Sequence, residues 1–336
     1  MSPQPDIAAS KGVRSAPTPS IAVLTSAEID ALIGTVDVLQ AMRELFTALG
    51  QGRAAQPAQT LTLFPDGSGD FISYLGADAD ARVFGAKLSP YITRPDGALV
   101  TAWSVLMSMD TGQPIALCDA GRLTVERTAA TIALAVDLLA KPSATKLAVI
   151  GSGAIGCAHV RYARSLRAWQ AIRVHSPQLA SSRDRQAAVR NLDERVSIAT
   201  DIAEAIDAAD VVLLCTSSGK PVVNPAELRT PALITSISTN VPMAHEIPPA
   251  ALASMDVYCD YRPTTPASAG EMRLAAADHG WSADAIKGDL AELATSRAAR
   301  PGYERHVFFR SIGLGLEDIA IARAIHDRWS TGGRRQ

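Results

Sequence analysis

The chain has 336 residues, more than one ordinary domain needs, and this length favours two domains. Hydrophobic residues make up 47% of it and charged residues 20%, as in folded globular proteins with buried cores. The formal net charge of −2 gives no electrostatic reason to expect a nucleic-acid or anionic-membrane partner, and no apolar run reaches the roughly 20 residues that span a bilayer.

The N-terminal residues 1–20 are rich in Ser, Pro and Ala and lack the apolar segment of a signal peptide, so we expect a flexible tail. The cysteines are far apart in the sequence and form no CxxC pair; they are Cys118, Cys157, Cys215 and Cys259. This spacing argues against a disulfide or a metal site and favours a reducing, cytoplasmic location.

Two helices and then a series of short strands are predicted in the first third of the chain. Thr25 or Ser26 can cap the first helix, and residues 36–49 repeat apolar side chains at helical spacing up to Gly50. The β-rich segments that follow are separated by turn-forming residues; they are 60–64, 70–75, 82–91, 99–109 and 114–119. This pattern predicts an antiparallel sheet with one covered face.

The pattern changes after residue 124. Residues 127–140 form a long apolar helix that Pro142 ends, and strands then alternate with helices up to residue 259. Such alternation predicts a doubly wound parallel sheet of the Rossmann type, and therefore an α/β protein. The last stretch, 308–329, has a helical pattern, and we expect it to fold back onto the first part of the chain.

An apolar strand that starts at Lys146 leads directly into a glycine-rich turn and a helix. The turn reads Gly151, Ser152, Gly153, Ala154, Ile155, Gly156, which is a GxGxxG pattern. Gly151 allows the tight turn, Gly153 lets the backbone approach a pyrophosphate, and Gly156 permits close packing of the helix on the strand. The N–H groups and the positive dipole end of the helix attract phosphate. All six turn residues are therefore expected to bind a nicotinamide dinucleotide, although a glycine-rich turn also occurs in unrelated α/β proteins.

The end of the second strand of the parallel sheet decides which dinucleotide is preferred. An acidic residue there would bind the ribose 2′-OH and repel a 2′-phosphate. The sequence instead has Ser176 after His175, with Arg183 and Arg185 shortly after. Ser176 and Arg183 are expected to contact the cofactor, so NADP(H) is favoured and NAD(H) is left open. The other interpretation of the arginines is a solvated helix face.

Polar residues follow two further predicted strands at the carboxyl edge of the sheet, where such folds bind ligands. We expect cofactor contacts from Thr216, Ser217 and Ser238, although Ser and Thr are also common where helices start. His245 and Glu246 suggest an acid–base pair, but a single exposed histidine is more often incidental.

Several segments together resemble the ornithine cyclodeaminase/μ-crystallin family. They are QPAQT at 56–60, GAKLSPY at 85–91, LCDAGRLTVERTAATIALA at 117–135, GSGAIG at 151–156 and FFRSIGLGLEDIA at 308–320. The resemblance covers roughly residues 21–330. It implies a homodimer in which 21–125 and 308–332 form a substrate and dimerisation domain around a Rossmann domain at 126–307. It also implies substrates that are α-amino or α-imino carboxylates.

The resemblance assigns roles to individual residues. Lys87 matches the family's substrate lysine, and its apolar surroundings could lower its pKa enough for proton transfer. Arg127 matches the arginine that touches both the substrate carboxylate and the cofactor, and Thr128 beside it either binds a phosphate or only serves the helix. The loop near the nicotinamide and the substrate is expected at Ser311, Ile312 and Gly313.

Two departures from the family's pattern affect the expected reaction. Gln59 stands where the family commonly has a carboxylate-binding arginine, so the substrate carboxylate depends on Lys87, Arg127 or another cation. Asn240 stands where a cyclodeaminase has its catalytic aspartate, and an amide cannot accept a proton as a carboxylate does. Asn240 therefore argues against ring closure with loss of ammonia, and could orient the substrate or the nicotinamide amide.

The expected function is reduction of a cyclic α-imino acid, Δ1-pyrroline-2-carboxylate or Δ1-piperideine-2-carboxylate, to L-proline or L-pipecolate by NAD(P)H. Lys87 and Arg127 would hold the carboxylate while hydride passes to the carbon beside it. The alternatives are an ornithine cyclodeaminase, an amino-acid dehydrogenase and a non-catalytic NADPH-dependent binding protein. The expected partners are a small amino or imino acid and a second copy of the chain.

Overall fold

The computed structural model describes residues 21–239 and 243–332. The predicted tail at 1–20 and Asn240 lie outside the described residues. Within the described ranges, no helix is both long enough and apolar enough to cross a membrane. The same ranges contain no group of three or more His, Cys, Asp or Glu side chains placed to hold a metal ion.

The first part of the chain forms a sheet with helices packed on one side. Its elements are β1 (Ala22–Leu24), α1 (Ser26–Ile33), α2 (Val38–Gly50), β2 (Ala54–Ala55), β3 (Thr60–Leu63), β4 (Gly69–Asp78), β5 (Val83–Ile92), β6 (Leu99–Val100), β7 (Trp103–Ser108), β8 (Pro114–Asp119) and α3 (Gly121–Leu139). The strands pair in the order β1-β8-β7-β5-β4-β2, with β3 also on β4 and β6 also on β5. The pairs are antiparallel as predicted, except that β1 lies parallel to β8.

The rest of the chain alternates strands with helices. Its elements are β9 (Lys146–Ile150), α4 (Ala154–Ala163), β10 (Ala171–His175), α5 (Arg183–Arg190), β11 (Val196–Ile198), α6 (Ile202–Ile206), β12 (Val211–Leu214), β13 (Leu233–Ser236), β14 (Asp256–Cys259), α7 (Thr265–Ser268), α8 (Gly270–Asp278), β15 (Ile286–Asp289), α9 (Leu290–Ala294), β16 (Val307–Arg310) and α10 (Gly315–Gly332). Every strand pair in this second sheet is parallel.

The second sheet has the order β11-β10-β9-β12-β13-β16-β14-β15. Its first five strands follow the 3-2-1-4-5 order of a Rossmann sheet, so the predicted α/β class is confirmed. Strands β12 and β13 are buried along their whole length, as expected where helices cover both faces. The chain order reverses between β9 and β12, which places a crevice at the carboxyl ends of these strands.

The prediction of a helix over 308–329 was wrong at its start. Residues Val307–Arg310 form β16, between β13 and β14 in the parallel sheet, and the helix begins only at Gly315. A short, fully buried strand has the same continuous apolar pattern as a buried helix, so periodicity could not separate them. The boundary expected at 308 therefore falls inside a strand of the parallel sheet, and the boundary expected at 126 falls inside α3.

The C-terminal helix α10 lies on the inner face of the first sheet, the face that carries Lys87. Glycines make this close contact possible, because a Cβ on Gly76 in β4 would stand 2.7 Å from the Cα of Leu316. A Cβ on Gly85 in β5 would stand 2.8 Å from the Cδ1 of Ile319. At the start of α10, the side-chain oxygen of Gln56 accepts a hydrogen bond from the N–H of Leu316 at 2.9 Å. The end of the chain is thus fixed against the strands that hold Lys87.

Candidate active site

A cleft of about 840 Å³ opens at the carboxyl ends of β9 and β12, where the Rossmann strand order reverses. Most of the predicted cofactor residues line it, namely Gly151, Ser152, Gly153, Ala154, Ile155, Gly156, Ser176, Thr216, Ser217 and Ser238. Arg127, Thr128 and Arg183 are not among the lining residues, although Val125, two residues before Arg127 on α3, is. The glycine turn and the ends of three neighbouring strands therefore form one cavity.

The geometry of the glycine turn fits a dinucleotide pyrophosphate. Gly151 has φ +124°, and a Cβ there would lie 2.5 Å from the backbone oxygen of Cys215. A Cβ on Gly156 would lie 2.2 Å from the backbone oxygen of Gly151, whereas Gly153 faces open space. Among the described residues the buried Oγ of Ser152 has no hydrogen-bond partner, and α4 begins without a side-chain cap. The Ser152 hydroxyl and the backbone N–H groups at the start of α4 are donors from which a phosphate group would accept hydrogen bonds.

Glu246 organises the opposite wall of the cleft, a role that the sequence did not reveal. Its carboxylate is fully buried. One oxygen accepts from the backbone N–H and the hydroxyl of Thr216 at 2.8 Å each, and the other accepts from Ser236 Oγ at 2.8 Å and from Ser238 N–H at 3.2 Å. Glu246 therefore ties together the ends of β12 and β13. The acid–base pair suggested with His245 does not fit a carboxylate engaged in this way.

The far end of the cleft, after β10, holds the residues expected to choose between cofactors. Ser176 and Gln178 line it, and no carboxylate is present among the described lining residues. Arg183 is the first residue of α5 and is exposed. Arg185 donates a hydrogen bond to the side-chain oxygen of Gln178. The arginines are thus near this end of the cleft rather than in its lining.

A buried cluster of four charged side chains joins the first sheet, α3 and α10. Lys87 Nζ lies 2.9 Å from one carboxylate oxygen of Asp318, and Arg127 Nε lies 3.1 Å from the other. Arg127 also contacts Glu317 at 2.8 Å. All four side chains are at most 5% exposed. We name these residues, Lys87, Arg127, Glu317 and Asp318, the charge quartet.

Burial and neighbouring charge shift the pKa values of the quartet. Burial lowers the pKa of Lys87 to about 8, against the opposing effect of the Asp318 charge. Burial raises the pKa of Glu317 to about 7, although the charge of Arg127 opposes the rise. Burial alone would lower the pKa of Arg127, but the charges of Asp318 and Glu317 outweigh it and raise that pKa. Near neutral pH, Lys87 and Glu317 therefore lie close to changing their protonation states.

The loop 311–313 connects the quartet with the dinucleotide cleft. Just before it, Arg310 donates to the backbone oxygen of Ser238, a cleft residue, at 2.5 Å. Within it, Gly313 has φ +76°, and a Cβ there would lie 2.4 Å from Nη1 of Arg127. Asp260 holds the loop, because it accepts hydrogen bonds from Ser311 Oγ at 3.0 Å, Ile312 N–H at 2.7 Å and Gly313 N–H at 3.1 Å. The predicted loop residues thus lie between Ser238 and Arg127.

The remaining predicted residues have less specific positions. Gln59 is half-buried just before β3, and Thr128 is buried on α3 beside Arg127.

Asp260, Glu317 and Asp318 were not predicted from the sequence. The segment FFRSIGLGLEDIA, in which the last two lie, was recognised only as a family motif. The adjacent carboxylates in an apolar helix were the available signal.

Comparison with known proteins identifies the same family that the sequence motifs resemble. The sequence model of the ornithine cyclodeaminase/mu-crystallin family matches residues 20–333. The chain is 58% identical to the NAD(P)H-dependent anabolic L-arginine dehydrogenase of Pseudomonas aeruginosa, over 93% of this chain and 98% of that protein. It is 26% identical to the Δ1-pyrroline-2-carboxylate reductase of Paracoccus denitrificans, over 84% and 91% of the two chains. The solved structure of a probable ornithine cyclodeaminase from Bordetella pertussis is 29% identical, with a TM-score of 0.83 and coverage of 93% and 98%.

Proposed function

The chain belongs to the ornithine cyclodeaminase/mu-crystallin family, as its motifs predicted, and we propose that it is an L-arginine dehydrogenase working in the reductive direction. It is an oxidoreductase of amino or imino acids that uses NAD(P)(H). The proposed reaction joins ammonia to the 2-oxo acid with the side chain of arginine, with loss of water, and reduces the resulting imine. The observation that carries this proposal is the 58% identity along nearly the whole of both chains.

The charge quartet supports a carboxylate-binding role for Lys87 and Arg127. A guanidinium and an ammonium that share one carboxylate present their remaining donors in one region, which suits a planar carboxylate ligand. The reduced nicotinamide supplies the hydride when it is bound. Lys87, with a pKa of about 8, is mostly protonated at neutral pH and keeps the positive charge that attracts the substrate.

Glu317 allows the quartet to accept an additional negative charge. With all four groups ionised the quartet is neutral, because two cations face two carboxylates. The pKa of Glu317 is about 7, so a proton can be taken up there when a substrate carboxylate arrives. Arg127 would then exchange its contact with Glu317 for one with the substrate. We therefore expect substrate binding to be accompanied by proton uptake near neutral pH.

Reduction of a cyclic α-imino acid, the function expected from the sequence, is the second candidate. It is favoured by the similarity to the Δ1-pyrroline-2-carboxylate reductase of Paracoccus denitrificans. Both reactions use the same carboxylate and the same hydride acceptor, a carbon of a C=N bond beside the carboxylate. They differ in the side chain that the protein must accommodate.

We further propose that NADP(H) is preferred over NAD(H). The support is the absence of a carboxylate among the described residues that line the cleft, together with Ser176 in the lining and Arg183 and Arg185 nearby. A 2′-phosphate would meet hydroxyl and guanidinium donors there and would not be repelled.

A direct assay separates the two candidate substrates. Purified protein is expected to reduce NADP+ with L-arginine at a kcat/KM at least about 10-fold higher than with L-proline or L-pipecolate, since differential transition-state binding sets specificity. In the reverse direction, NADPH should be consumed with ammonia and the arginine 2-oxo acid. A preference for L-proline would instead support the cyclic substrate, and a higher kcat/KM for NADH than for NADPH would contradict the cofactor proposal.

We also propose that the protein is a homodimer formed through the outer face of the first sheet. An unbroken row of apolar residues crosses five adjacent strands there; its members are Val23, Leu117, Val105, Ala86 and Leu75. The side chains of Val23, Leu75 and Leu117 are 52%, 43% and 36% exposed. Further exposed apolar side chains lie on the same face, namely Phe84, Leu88 and Trp103. A continuous apolar face of this kind suits a two-fold interface between identical chains.

Placing a charge in the middle of this face should dissociate the dimer. Leu117→Arg is expected to convert a species of two chains into one of a single chain, because an arginine would be buried unpaired against its symmetry mate. Light scattering coupled to gel filtration measures the change. Trp329→Arg, at a similarly exposed position on α10, should leave the dimer intact. A wild-type protein that is monomeric at micromolar concentration would contradict the proposal.

A further inference from the structure

The inner face of the first sheet extends beyond Lys87 towards the start of β4. Lys87 on β5 is paired with Tyr74 on β4, and its Nζ lies 4.2 Å from the centre of the Tyr74 ring. Because side chains alternate along a strand, Ile72 and Asp70 lie on the same face as Tyr74. The strand pairing is regular over this whole stretch. Lys87 and Asp70 therefore belong to one continuous surface.

Asp70 is an unusual carboxylate in this surface. It is half-buried, and no hydrogen bond or ion pair joins its side chain to another residue within 21–239 and 243–332. The other buried or half-buried carboxylates of the first sheet and its helices have partners; Asp78 and Asp119, for example, accept backbone N–H groups. A partly desolvated carboxylate without a partner favours a cationic ligand.

The neighbours of Asp70 suit a flat cation. On β5 its cross-strand partner is Tyr91, a residue that is 47% exposed, and on β3 its partner is Leu63. A guanidinium can donate two parallel hydrogen bonds to a carboxylate and stack on an aromatic ring. Between this position and Lys87 the surface is apolar, with Ile72 opposite Leu61, which is 56% exposed.

The order of groups along the face matches the order of groups in arginine. Asp70 and Tyr74 are four residue steps apart on β4, a distance of about 13 Å at roughly 3.3 Å per step. An extended arginine measures roughly 7.5 Å from its carboxylate carbon to its guanidinium carbon, which six bonds separate. One hydrogen bond of about 2.9 Å at each end brings the total to a similar length. A carboxylate held at Lys87 would thus place the methylene chain against Ile72 and Leu61 and the guanidinium near Asp70.

We propose that Asp70 selects the cationic side chain of the substrate by binding its guanidinium directly. This inference rests on the proposed function, because it assumes that the substrate carboxylate binds at Lys87 and Arg127. It identifies a specificity residue distinct from the groups that hold the carboxylate. The selection takes place two side-chain positions farther along the sheet than Tyr74, the cross-strand partner of Lys87.

The test compares L-arginine with L-citrulline, in which a neutral urea group replaces the guanidinium. Asp70→Asn is expected to lower kcat/KM for L-arginine by about 10- to 100-fold, the usual effect of losing a hydrogen bond between charged groups. For L-citrulline, kcat/KM should change by less than about 3-fold, because its urea carries no charge to lose. Asp96→Asn removes an exposed carboxylate from the loop after β5 and serves as the charge-matched control.

Each outcome has a separate meaning. If the wild type prefers L-arginine and Asp70→Asn keeps that preference, the role of Asp70 is refuted and the proposed function stands. An equal loss in Asp96→Asn would show a general effect of negative charge at this end of the sheet, which also refutes a direct contact. A wild type that oxidises L-proline but not L-arginine would refute the proposed function and this inference with it.

Discussion

Replacing Lys87 with methionine is expected to lower turnover of L-arginine by about 10²- to 10³-fold while the fold and dinucleotide binding are preserved. Lys87 is one of two buried cations that share Asp318, and methionine keeps its length without its charge. The dinucleotide cleft does not include Lys87, so cofactor affinity should not change. Steady-state kinetics and a fluorescence titration with NADPH measure the two properties separately.

The pH profile distinguishes the charge of Lys87 from its packing. The pKa of Lys87 is about 8, so the wild type should lose kcat/KM as the pH rises through that value and the lysine becomes neutral. Lys87→Arg should retain part of the activity and show no such decline, because a guanidinium stays charged. Lys287→Met, at an exposed position on β15, is the control and should have wild-type kinetics. If Lys87→Met retained wild-type turnover, Lys87 would have to be removed from the site.

The dinucleotide cleft could be predicted from the sequence because its determinants are local. Gly151 and Gly156 act on atoms of the same turn and the adjacent strand end, as the close approach of Gly156 to the Gly151 oxygen shows. The strand before this turn and the helix after it are also contiguous in sequence. A motif that requires only neighbouring residues keeps its meaning when it is read without a structure.

The charge quartet could be predicted only in part because its partners are far apart in the chain. Lys87 and Arg127 were found through a family resemblance, whereas Asp318 lies 191 residues after Arg127. Which carboxylate meets which cation depends on how α10 packs on the first sheet, and sequence periodicity does not contain that information. Glu246 illustrates the same limit, since its role depends on the convergence of β12 and β13 around it.

Asp318→Asn is expected to lower the free energy of unfolding by about 3–5 kcal/mol, because it removes one partner of a buried ion cluster. Lys87 and Arg127 would then share a single remaining carboxylate, Glu317, whose raised pKa makes it a weaker counter-ion near neutral pH. Urea denaturation followed by circular dichroism measures the loss. Asp327→Asn is the matched control on α10; it removes an ion pair with Arg323 in which Asp327 is 53% exposed, and should cost less than about 1 kcal/mol.

The activity of the Asp318→Asn protein tests whether Asp318 positions Lys87 and favours its protonated form, or only stabilises the fold. The negative charge of Asp318 raises the pKa of Lys87 against the effect of burial, so its removal must lower that pKa from its value of about 8. The decline of kcat/KM with rising pH should therefore begin at a lower pH than in the wild type. A destabilised protein whose pH profile is unshifted would show that Asp318 acts on stability alone. A shifted profile, absent in Asp327→Asn, would connect the charge of α10 directly to the chemistry of the lysine on β5.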